Sequence, residues 1–151
     1  MSTRPYVSVT EVRQRCAAAV EALEGFRELV WPLSTAEAPA GYDTFPFAIV
    51  ASSTENTGRY RDNASSGICV RSTLIVEFLV PVTLADGSEV TSLDTATEAE
   101  ARVIRAMEKR GEAWAFDLVV AYQSTTRLVT EDGGHLAIDI TFHVDHVVRL
   151  A

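Results

Sequence analysis

Two long alternating stretches close the chain, Phe116–Thr130 and His135–Arg149, with Glu131-Asp132-Gly133-Gly134 between them. Alternation puts successive side chains on opposite faces of a strand, and a Gly-containing tetrapeptide between two such runs predicts a hairpin turn. On the second arm Leu136, Ile138, Ile140, Phe142, Val144, Val148 and Leu150 share one face, and Ala137, Asp139, Thr141, His143 and Asp145 the other; Phe116, Leu118, Val120 and Tyr122 mirror the apolar face on the first arm. At about 3.3 Å per residue each arm would reach roughly 50 Å if straight. A compact chain of this size is only roughly 40 Å across. The hairpin therefore bends or projects, and its charged turn end, Thr125–Ile138, is the part expected to project. Projecting strands expose backbone edges that usually need a partner.

Upstream, Val12, Cys16, Ala19, Leu23, Phe26 and Val30 recur at steps of three and four and predict a core-facing helix over Ser8–Val30, stopped by Trp31-Pro32. Leu33–Asp43 has loop composition, and Phe45–Ser52 is a short apolar run expected to form a strand. Ser53–Gly67, with almost no apolar residues, is expected to be a long mobile loop. Ile68–Thr83 predicts a central strand, with Leu74, Val76, Phe78, Val80 and Val82 on one face and Thr73, Ile75, Glu77, Leu79 and Thr83 on the other. A second helix is expected over Asp94–Arg110, capped by Ser92 or Asp94 or by a Thr95/Glu98 capping box, and presenting the small-residue stripe Ala96, Ala99, Val103 and Ala106.

The order helix, strand, strand, helix, strand, strand predicts an α+β fold. It would be a single two-layer domain over residues 1–151, with a four-stranded mixed or antiparallel sheet, both helices on one face, and mobile loops near 33–44 and 53–67. A parallel crossover through the second helix would make the sheet mixed.

Composition narrows the partners. The chain has 151 residues, 47% apolar and 23% charged, with a net charge of −8. Acidity argues against a DNA-clamping or anionic-membrane surface, but is compatible with a channel along which DNA slides without adhering. Met1–Pro5 has no apolar core of a secretory signal, and no apolar run is long enough to span a bilayer. Cys16 and Cys69 match no metal or redox spacing and are expected to be buried thiols in a reducing cytoplasm.

Ligand and catalytic types do occur. His143, His146, Asp139 and Asp145 resemble a metal set only in a list, because residues three apart on a strand face opposite ways. Asp117, Asp139 and Asp145 fall on the polar face, where carboxylates are usually solvated. Ser52-Ser53 and Ser65-Ser66 lack a nucleophile elbow, and no phosphate loop or dinucleotide fingerprint is present. Neither a cofactor nor a catalytic residue is expected. Interface chemistry is better represented. Arg59, Tyr60 and Arg61 stand together in the polar segment, Arg71 and Arg127 can add to such a contact, and Arg127, Glu131, Asp132 and His135 crowd the turn end of the last hairpin.

The layout resembles the tail-terminator (tail-completion) proteins of long-tailed bacteriophages and phage-like particles. The resemblance lies in the opening amphipathic helix (VSVTEVRQRCAAAVEALEGF), the strand RSTLIVEFLVPV after a polar segment, the Ala-rich acidic helix LDTATEAEARVIRAMEK and the closing hairpin FDLVVAYQSTTRLVTEDGGHLAIDITFHV. It implies a non-enzymatic virion protein assembled in the host cytoplasm. The subunits would form a ring, commonly a hexamer, that caps the head-proximal end of the tail tube, contacts the head-completion or connector protein, and lets DNA pass through its lumen. A head-closure, neck or tube-type ring subunit is the nearest alternative, and a small α+β enzyme or ligand-binding domain the more distant one.

Overall fold

The computed structural model describes residues 6–33, 44–61, 66–81, 92–108, 118–130 and 134–150, with only the backbone of 61, 92 and 93. Helix α1 spans Val9–Glu21; the Ser8 hydroxyl caps it by accepting the Glu11 N–H at 3.1 Å. Of the expected stripe, Val12 and Cys16 are buried and Ala19 and Leu23 are partly buried against the core; Ala17 and Val20, outside that stripe, complete the buried face. The helix ends nine residues earlier than the expected Val30. Gly25 at φ 87° takes the chain through a left-handed turn, which side-chain-bearing residues resist, and Phe26–Glu28 then becomes strand β1. The helical spacing of Leu23, Phe26 and Val30 is thus coincidental. Phe26 is buried from a strand, and Val30 is exposed.

Four longer strands follow: β2 (Phe45–Arg61), β3 (Ser66–Pro81), β4 (Val119–Val129) and β5 (His135–Arg149), with helix α2 (Ser92–Glu108) between β3 and β4. They form one five-stranded sheet in the order β1-β2-β3-β5-β4. β1 runs parallel to β2 and the other neighbouring pairs are antiparallel, so the sheet is mixed. The α+β class and the position of both helices against one sheet face hold; the strand count is five rather than four, because β1 was hidden in the helix pattern. β3 and β4 run the same way with β5 between them, so the connection through α2 is a parallel crossover that skips a strand.

Residues 53–61, expected to be loop, continue β2 as a strand paired to β3 out to Arg61↔Ser66. Residues 52–59 are all exposed, so no apolar face was needed, and none marks the strand in the sequence. Two bulges, at Ala51/Ser53 and Asn56/Gly58, let this polar half stay in register. Asn56 Oδ1 accepts the Gly58 N–H at 2.9 Å at the second bulge.

The core lies between the helices and one face of the sheet. Phe47, Leu74, Val76, Phe78, Val80, Ile138, Ile140, Phe142 and Val144 meet Val12, Cys16 and Val20 of α1 and Ala96, Ala99, Val103 and Met107 of α2. Phe26, Phe45 and Phe78 pack with ring centroids 5.1–6.3 Å apart. Arg102 of α2 stacks over Phe26 at 5.5 Å and donates to the Glu24 carbonyl at 2.8 Å, tying α2 to the turn before β1. Burial pushes the Cys16 thiol up to about 12, as befits an inert core thiol; Cys69 is only partly buried.

Candidate assembly interface

The residues singled out in the sequence divide between opposite ends of the sheet. Arg59, Tyr60 and Arg61 close the β2–β3 hairpin, paired with Ile68, Gly67 and Ser66. Gly67 pairs in turn with Arg149, the last residue of β5. His135, the first residue of β5, pairs with Pro81 at the far end of β3. The two hairpins therefore point in opposite directions, and the described strand ends at His135 and Arg149 lie about 48 Å apart along the 15-residue β5. Glu131 and Asp132 lie outside the described residues.

At the β2–β3 end the arginines and tyrosine stand on a strand, not on a flexible loop. Tyr60 meets Tyr6 edge-to-face at 6.1 Å, and Arg149 sits over the Tyr6 ring at 5.6 Å. Tyr6 also bridges Val147 in parallel, so the N-terminal segment is fastened to β5 at this end. Arg71 does not join this group. It is held by a two-pronged bond to Asp145 of β5 (2.9 and 3.2 Å), in a row that continues to Glu55 on β2. Behind it His146 points into the helix-covered face. Its Nδ1–H donates to the Val7 carbonyl at 2.8 Å, so Nε2 accepts from the Ser72 hydroxyl at 2.7 Å. Burial lowers the His146 pKa, against the Val7 bond and the Asp145 charge. This buried trio joins the N-terminal segment to β3 and β5, and it separates His146 from His143 on the opposite face.

At the other end Arg127 grips both oxygens of Glu100 on α2, at 2.8 and 2.7 Å. A bulge between Tyr122 and Ser124 turns Arg127 toward the helices; simple alternation from Tyr122 would have faced it outward. Thr130 and His135 lock the start of the turn, the Thr130 N–H donating to the His135 carbonyl at 2.9 Å. On the helix-free face Glu77 stands directly opposite Asp139. Burial, with the adjoining Asp139 carboxyl, pushes Glu77 up to about 7, a rise moderated by a backbone bond from Leu33. Asp139 Oδ1 and His135 Nδ1 are buried without a hydrogen-bond partner among the described residues. Asp117 lies outside the described residues.

Sequence reasoning missed the surface that the edges expose. Among the described residues, Val30, Trp31, Val119, Tyr122, Leu128, Val129 and Leu150 are the large apolar side chains left exposed. All but Leu150 lie at the two opposite edges of the sheet, beside β1 or on β4. In the sequence Val30 and Trp31 fit a helix stripe and its stop signal, and Leu128 and Val129 fit strand alternation, so hydropathy does not single them out. The outer edge of β4 is partly guarded, since Glu108 of α2 accepts the Tyr122 N–H at 2.6 Å.

No protein-family model matches this chain, and no curated protein matches it. Among solved structures it is similar to a chain of the virion of a native gene transfer agent (GTA) particle, at 16% identity, covering 87% of this chain and 84% of that chain, with a TM-score of 0.43.

Proposed function

We propose that this chain is a structural subunit of a phage-like virion, and within that class a tail terminator. It would form a ring at the head-proximal end of the tail tube and act without catalysis, cofactor or metal. The observation that carries the reading is the pair of long hairpins pointing to opposite ends of one sheet. A ring subunit between two different assemblies needs two separate docking ends and two lateral edges, and this topology supplies both. The β2–β3 tip offers Arg59, Tyr60 and the backbone of Arg61, and the β4–β5 end offers His135 and the residues around it. One end would stop tube growth and the other receive the head-completion protein. A ring of chains each carrying −8 would repel DNA from its lumen wall as the genome passes.

The test is direct imaging. Purified protein mixed with purified tail tubes should appear by negative stain as a cap on one end of each tube, and capped tubes should no longer elongate. Rings that ignore tubes but bind head connectors would move the assignment to head closure. Tubes that elongate unchanged, with no caps, contradict the terminator role.

A further inference from the structure

The two ends of the sheet differ in charge. At the β2–β3 end, residues Arg59 to Ser66 together with Arg149 of β5 hold three arginines and one aspartate, a net +2 in a chain of −8. Toward the other end, residues 82–91 after Pro81 and 131–133 after Thr130 carry Asp86, Glu89, Glu131 and Asp132 and no lysine or arginine. Elsewhere arginines are engaged within the chain. Arg13, Arg15, Arg71, Arg105 and Arg127 each bond a carboxylate. Arg59 and Arg149 are exposed and meet no carboxylate among the described residues.

Arg149 is also held in place before any partner arrives. Tyr60, Gly67 and Arg149 form one row across three strands. The middle position has no side chain, and the Tyr6 ring lies there, edge-on to Tyr60 at 6.1 Å and beneath the Arg149 guanidinium at 5.6 Å. A guanidinium stacked on a ring keeps its in-plane N–H donors available for a carboxylate. Ordering the side chain in advance lowers the entropy lost on binding. Arginine and tyrosine are also the residue types that dominate protein contacts.

We propose that the β2–β3 end docks end-on against a carboxylate-bearing protein surface, with Arg59, Tyr60 and Arg149 as its anchors. The proposal rests on the virion reading above, since it names the chemistry of one of that subunit's two axial partners. Protein is favoured over DNA by the placement of the cations. Arg59 and Tyr60 are consecutive and face opposite ways, and Arg149 shares the row of Tyr60, so one arginine stands on each face of the sheet. A phosphate backbone laid along either face would meet only one of them. A surface abutting the end of the sheet reaches both.

Charge reversal tests it. Arg59→Glu and Arg149→Glu are compared with the wild type for binding to purified tail tubes and to purified head-completion protein, at low and at high salt. Arg105→Glu, on the exposed side of α2, makes the same charge change away from the end. Both end variants should weaken binding to one of the two partners by about tenfold or more and flatten its salt dependence. Binding to the other partner should be unchanged, and Arg105→Glu should match the wild type on both. Circular dichroism checks folding; should loss of the Tyr6 stack unfold Arg149→Glu, Arg59→Glu carries the test alone. End variants that bind both partners as tightly as the wild type overturn the inference and leave the virion reading in place. A loss toward both partners, or one that Arg105→Glu shares, also overturns it, because net charge alone would then be the cause. A short DNA duplex that binds the wild type and not the end variants makes this end a nucleic-acid surface and overturns it too. A wild type that binds neither tubes nor head-completion protein overturns the virion reading and this inference together.

Discussion

A Cβ at Gly67 would lie 2.7 Å from the Val148 carbonyl oxygen, 2.8 Å from Tyr6 Cε1 and 2.9 Å from Val147 Cγ1. The clash is with backbone, so it cannot be relieved by a side-chain swing. Gly67→Ala should cost about 1–3 kcal/mol in urea unfolding and loosen the Tyr6–Tyr60 contact; an unchanged midpoint would show that this end is softer than it looks. Arg127 is the second sensitive residue, because Glu100 is nearly buried beneath it. Arg127→Ala should cost about 1–3 kcal/mol by leaving that carboxylate unpaired, and Glu100→Gln in the same chain should recover part of the loss. Two titrations oppose each other. His146, held below its ordinary pKa by burial, contributes stability that is present above about 6.5 and lost as pH falls through its lower folded value. Glu77 is raised to about 7, so its contribution is present below its ordinary carboxylate range and lost as pH rises through about 7. Glu77→Gln should therefore raise the melting temperature at pH 8, by about 2–4 °C for each kcal/mol released, with the gain shrinking toward pH 4.5. An equal loss of stability at every pH would contradict the sign.

At the scale of elements, the sequence marked what is packed and missed what is only paired. β3 was legible because Leu74, Val76, Phe78 and Val80 alternate against a covered face, and α2 because Ala96, Ala99 and Val103 recur at helical spacing. The outer half of β2 was not, since residues 52–59 are exposed and its order comes from backbone bonds to β3, which leave no trace in hydropathy. β1 was lost for the opposite reason: Phe26 keeps helical step with Leu23, and only the positive φ at Gly25 breaks the run. Among the candidate interface residues, their types were legible and their grouping was not. Arg59 and His135 are separated by the length of β5, and Arg71 and Arg127 are engaged within the chain, facts set by register and a bulge. The small-residue stripe of α2 makes its own prediction. Ala99 is buried against the sheet, so Ala99→Leu should overpack that contact and cost about 1–3 kcal/mol, measured by chemical denaturation. A neutral result would mean α2 can shift outward.

The whole molecule is a sheet with helices on one side, a hairpin tip at each end, and apolar side chains at both lateral edges. Exposed edges and apolar edge residues are costly on a solitary protein, and the proposed ring would cover both while leaving the axial ends open. Proposed lateral self-assembly of this chain is tested most directly by the solution mass of the purified wild-type protein. Multi-angle light scattering across a concentration series should give a closed species near six times 16.4 kDa that does not grow further. A single species of 16.4 kDa at every concentration would contradict the account.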